Sequence, residues 1–137
     1  MPTASRRHRQ LRRPVLERSG QGAARVAGIL GIRLWSNGRV FVRIWEYEVP
    51  EAYLDPFVAA YAADGAWAEL FGRSRGYVGT ELYRDRASGG RFVTVDRWVD
   101  ERGWKSFLDE FQLAYQTLDI QLEGLASSER PLFEGNS

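Results

Sequence analysis

Cysteine is absent from this 137-residue chain, and the only histidine is His8. The first absence excludes disulfides, iron–sulfur ligation and thiol catalysis. The second leaves everything after residue 8 without imidazole, the usual ligand of zinc, haem iron and copper. Carboxylates are plentiful, yet no cluster has metal-site spacing, so no metal site is expected. Long apolar runs are missing too. Val26 to Trp35 is the nearest to one; Arg33 interrupts it and ten residues cannot cross a bilayer.

Charge is abundant but unevenly placed. Residues 1–39 carry nine arginines against Glu17 alone, whereas residues 40–137 carry ten basic and seventeen acidic groups. The near-neutral total of +1 therefore hides a basic tail on an acidic body. The body is a poor partner for nucleic acid, since phosphate binding needs neutralising cations. Neither a nucleic-acid nor a membrane partner is expected, and the body reads as a cytoplasmic domain. Residues 1–38 show no sustained apolar period and read as a disordered tail or as an over-long start. Ser5-Arg6-Arg7 resembles a twin-arginine signal, but no A-x-A cleavage site follows. Residues 39–137 form the single domain.

Within that domain, residues 39–49 are rich in Val, Phe, Ile, Trp and Tyr and predict a first strand. Phe41, Arg43, Trp45 and Tyr47 share one of its faces. Asp55-Pro56 predicts a helix start, Asp as N-cap and Pro first in the helix, with Phe57, Ala60 and Tyr61 at helical spacing. Gly65 is expected to close it, and Trp67, Leu70 and Phe71 to mark one more helical turn. Residues 76–85 and 91–99 predict an antiparallel hairpin around Gly89-Gly90. Asp100 predicts the cap of a longer helix striped by Trp104, Phe107, Leu108, Phe111 and Tyr115, with Leu118, Leu122 and Leu125 continuing it after a bend. Residues 131–133 suggest a short final strand.

The stretch Asp64-Gly65-Ala66-Trp67-Ala68-Glu69-Leu70-Phe71, followed by Gly76 to Asp85 and by Arg91 to Trp98, resembles the antibiotic biosynthesis monooxygenase family over roughly residues 40–134. The resemblance implies an α+β, ferredoxin-like antiparallel sheet with helices on one face, pairing into a dimeric α/β barrel. Composition points the same way. Seventeen aromatic residues between Val40 and Ser137 exceed what one helical layer buries easily, so a second copy is expected against the other face of the sheet.

The family resemblance implies a cofactor-independent monooxygenase acting on an aromatic or polyketide-like molecule. Such a site needs aromatic walls, a proton acceptor and a cation for the developing oxyanion. Trp45, Tyr47, Trp67, Phe71, Tyr77 and Trp98 are the candidate substrate-binding residues. Asp96, Arg97 and Tyr83 are the candidate catalytic ones, with Glu81 and Arg43 as further proton acceptor and cation. Each has a structural counterpart reading. The aromatics suit a core at helical and strand spacing, Asp96 suits an ion pair with Arg84 or Arg86, and Arg97 a surface or interface pair. Haem chemistry is not expected, because family members of that type use a histidine, and the only asparagines here are Asn37 and Asn136. The alternative function is a non-enzymatic dimeric module for ligand binding or assembly.

Overall fold

A computed structural model describes residues 40–137; the expectations for residues 1–38 lie outside the described residues. Strand β1 (Phe41–Glu48) leads through a 3-10 turn (Glu51–Tyr53) into helix α1 (Leu54–Tyr61) and helix α2 (Ala66–Phe71). Strands β2 (Tyr77–Arg84) and β3 (Arg91–Trp98) follow, then helix α3 (Glu101–Gln121) and strand β4 (Ser128–Asn136). The sheet order is β2-β3-β1-β4 with every pair antiparallel. This is the ferredoxin-like arrangement.

Local chemistry accounts for most of the boundaries. Asp100 caps α3 as the sequence predicts, its carboxylate accepting the Gly103 N–H at 2.8 Å. That bond satisfies one of the free donors of the first turn. Gly124 closes the far end of α3 with φ of +97°, a left-handed conformation that a side chain would resist. Asp85 builds the hairpin turn, accepting N–H bonds from Ala87 and Ser88.

Four details differ from the sequence reading. Helix α1 begins at Leu54, with Asp55 and Pro56 already in its first turn, because the preceding 3-10 turn delivers the chain in helical register. Proline is tolerated there, where its missing N–H would have no partner anyway. Helix α1 ends at Tyr61, and Gly65 instead precedes α2. A Cβ at Gly65 would stand 2.5 Å from the Ala59 carbonyl oxygen, so glycine lets the chain turn back against α1. The bend in α3 falls at Phe111 (φ −115°, ψ 25°), earlier than expected. Finally, β4 runs for nine residues, its apolar alternation hidden by Glu129, Arg130 and Pro131. A register shift opposite Ile44 and Trp45 lets Pro131 sit in this edge strand.

The core fills the space between the helices and one face of the sheet. Phe41, Trp45, Tyr47, Phe92 and Trp98 rise from the sheet to meet Phe57, Tyr61, Trp67, Phe71, Trp104, Phe107 and Tyr115 from the helices. On the opposite face, Val42, Ile44, Val93, Val95 and Arg97 alternate with those core positions, and no described helix covers them.

Candidate functional site

Four facing residues run straight across the helix-covered side of the sheet. Thr80 on β2 opposes Asp96 on β3, Asp96 opposes Arg43 on β1, and Arg43 opposes Glu134 on β4. Thr80, Asp96 and Arg43 are buried, at 7%, 2% and 5% exposure. Charge held inside an aromatic core is costly unless hydrogen-bonded, and this row supplies bonds at both ends.

At one end the Thr80 hydroxyl donates to Asp96 Oδ1 at 2.6 Å. Its single proton committed, Thr80 Oγ1 accepts from the Tyr77 hydroxyl at 2.7 Å. Tyr77, Thr80 and Asp96 therefore form a directed relay from a partly exposed phenol to a buried carboxylate. Burial pushes the Tyr77 phenol up to about 12, against a smaller opposing effect of the Thr80 bond. Tyr77 thus stays neutral and keeps its donor across physiological pH.

That shift has a testable consequence. An unfolded tyrosine loses its proton near pH 10, whereas folded Tyr77 holds its proton to about 12. Above pH 10 the unfolded state binds fewer protons, so stability falls between pH 10 and 12 and levels off beyond. Urea unfolding across this range is expected to show a shallower decline in Tyr77→Phe than in wild type; equal slopes would rule out the buried phenol.

At the other end, Arg43 Nε donates to Glu134 Oε2 at 2.6 Å. Its guanidinium lies 4.2 Å from the Trp104 ring centroid and 6.0 Å from that of Trp45, within cation–π range.

The predicted site residues separate into two groups. Asp96 lies in the row and accepts a hydrogen bond from Thr80; Arg84 turns to the Gly89 carbonyl and the Phe92 ring. Arg97 and Tyr83 alternate to the other face. Arg97 pairs with Glu81 at 2.6 Å and holds that carboxyl below its ordinary range, and Tyr83 is 54% exposed. The structure does not bring these two to Asp96.

The candidate substrate-binding aromatics lie inside. Trp45, Tyr47, Trp67, Phe71 and Trp98 are essentially inaccessible. Ring centroids are 5.6 Å apart for Trp67 and Phe71, 5.4 Å for Phe71 and Trp98, and 5.3 Å for Tyr77 and Trp98. Tyr47 packs on Phe57 and Tyr61. Such spacings are direct ring-to-ring contacts.

Thr80 and Glu134 are the site members that sequence reading passed over. Alternation along β2 could have put Thr80 on the inner face, but only its register with Asp96 reveals the bond. Glu134 lies beyond the expected short last strand.

Two open grooves lie elsewhere on the surface of the described residues. One, of about 580 Å³, lies between residues 73–76 and the start of α3. The other, of about 320 Å³, separates α2 from α3. On the outer face Glu46 accepts bonds from Arg91 and Arg130, which hold its carboxyl below the usual range. No described helix is long and apolar enough to cross a membrane.

No protein-family model matches the chain, and no curated protein matches it by sequence. Solved structures do. A candidate antibiotic biosynthesis monooxygenase from Nitrosomonas europaea superposes with a TM-score of 0.53 at 13% identity, over 73% of this chain and 91% of that one. A second such candidate, from Bordetella bronchiseptica, gives 0.51 at 19% identity over 72% and 95%. MupZ from Pseudomonas fluorescens gives 0.52 at 20% identity over 66% of either chain, so this chain spans about two thirds of that protein's length. The fold is therefore the α+β ferredoxin-like fold of antibiotic biosynthesis monooxygenase-type proteins. At these identities the likeness is one of fold, and a shared fold does not fix the chemistry of a site.

Proposed function

We infer that this protein is a homodimeric monooxygenase of the antibiotic biosynthesis type, acting without a cofactor on an aromatic or polyketide-like molecule. The observation that carries this reading is the Tyr77–Thr80–Asp96 relay with Arg43 directly across from Asp96. A substrate phenol donating to Tyr77 Oη can lose its proton along the relay, each hydroxyl passing one on, until Asp96 holds it. Arg43 then lends positive charge to the oxyanion face. The resulting phenolate is rich enough in electrons to reduce dioxygen directly. For a ring carbon bearing two hydrogens the balance closes with dioxygen alone. CH2 and O2 give C=O and H2O, all four electrons coming from that carbon.

The packed rings constrain where the substrate lies. With about 5.4 Å between Phe71 and Trp98 centroids, no second ring fits between them. The substrate must therefore approach from the Tyr77 or Arg43 side. The same packing favours the second reading, a dimeric module whose interior is purely structural.

Oxygen consumption with anthrone- and hydroquinone-type substrates separates the two. Asp96→Asn preserves size and an acceptor for Thr80, so melting is expected to change little, while turnover drops about 100-fold as the terminal proton acceptor is lost. An Asp96→Asn variant as active as wild type would remove the relay from the mechanism. No oxygen uptake by folded wild type across the panel would leave the module.

A further inference from the structure

We propose that Arg43 is the receptor for an aromatic carboxylate and that Glu134 is the internal carboxylate this ligand displaces. The proposal rests on the site reading above and deepens it by naming the ligand class.

Arg43 has a 6% exposed side chain, and its Nε donates to Glu134 Oε2. A guanidinium has five N–H donors, and Glu134 is the carboxylate that the described residues set against them. A planar fork of this kind suits a carboxylate bound through two parallel hydrogen bonds. Glu134 holds this place from the Nε side.

The surroundings select an aromatic acid. The Trp104 and Trp45 rings flank the guanidinium, so an aryl group brought in with the carboxylate would pack on ring faces and edges. Glu134 can yield its place. Its side chain is 48% exposed on edge strand β4, so turning outward returns its charge to water at little cost. Arg43 also stands between Glu134 and Asp96 in the cross-sheet row. A ligand anchored there lies about one strand spacing, roughly 5 Å, from the relay's terminal carboxylate.

Salicylate is a suitable probe, with salicyl alcohol as its neutral counterpart. Binding to the full chain is read anaerobically, by tryptophan fluorescence and calorimetry, so that turnover plays no part. Wild type is expected to bind salicylate and not the alcohol. Glu134→Gln, which removes the competing charge, should bind about 10-fold more tightly. Arg43→Lys keeps the charge but not the fork and should bind at least about 10-fold more weakly. Equal or weaker binding by Glu134→Gln, equal affinity for acid and alcohol, or no saturable binding of salicylate overturns the proposal. Should Arg43→Lys melt early, the exposed Glu134 variant and the acid-to-alcohol comparison still decide it. Salicylate binding without oxygen uptake would sink the oxygenase reading and leave this receptor standing. Uptake that depends on Asp96, with binding indifferent to Glu134, would do the reverse.

Discussion

Trp98→Ala is expected to cost about 3–5 kcal/mol of stability, the range for emptying a large buried aromatic site. Trp98 is fully buried and touches Phe71, Tyr77, Trp104 and Phe107, with ring centroids 5.3–5.4 Å away. It thus joins β3 to α2, β2 and α3 at once, and neighbours held by different elements cannot all collapse into the space it leaves. Its indole N–H is buried without a hydrogen-bond partner, so part of the residue's packing benefit is already offset. Trp98→Phe removes that unpaired donor while keeping a ring, and its loss should be less than half that of alanine. Urea denaturation of both variants gives the comparison. An alanine variant within about 0.5 kcal/mol of wild type, the ordinary range for surface positions, would show that Trp98 is not the keystone of the core.

Ile44→Asp is the second large effect, and it concerns assembly rather than folding. Ile44 lies on the outer face of the sheet, between Val95 on β3 and Phe133 on β4, and Phe133 is 53% exposed. Val42 and Val93 extend this apolar centre, while the Glu46–Arg91 and Glu81–Arg97 pairs flank it. An apolar middle with charged margins is the make-up of a protein interface. If a second copy covers it, a carboxylate at position 44 is buried without a partner and costs about 3–5 kcal/mol. Association should then weaken at least about 100-fold, converting a dimer to a monomer in sedimentation at micromolar concentration. The monomer should keep its fold, since the new carboxylate faces water once the partner leaves. A dimer as tight as wild type would move the interface elsewhere.

The outer-face alternation of β1 and β3, the Asp100 cap and the stripe from Trp104 to Tyr115 were legible because each is a local, periodic signal. The end of α1, the bend at Phe111 and the length of β4 were not. These depend on what the segment packs against, and the polar run Ser127 to Arg130 carries no period until β1 supplies a partner. The candidate site divides the same way. Asp96 was visible as a carboxylate in an apolar strand, with Trp98 beside it on the same face. Its hydrogen-bond partner was not, because Thr80 lies sixteen residues away and reaches it only through the hairpin register.

By itself, the sequence determined most of the elements, their order, the residues that share a helix stripe or a strand face, and the lack of a thiol or core imidazole. Period, capping chemistry and composition are properties of the chain alone. Only the tertiary structure decided which charges meet. It turned Arg97 outward to Glu81, placed Arg43 inward between Asp96 and Glu134, and tied Tyr77 to Asp96 through Thr80. Those choices follow from strand register, where a shift of one residue sends a side chain to the opposite face, and register is set by contacts between segments distant in sequence.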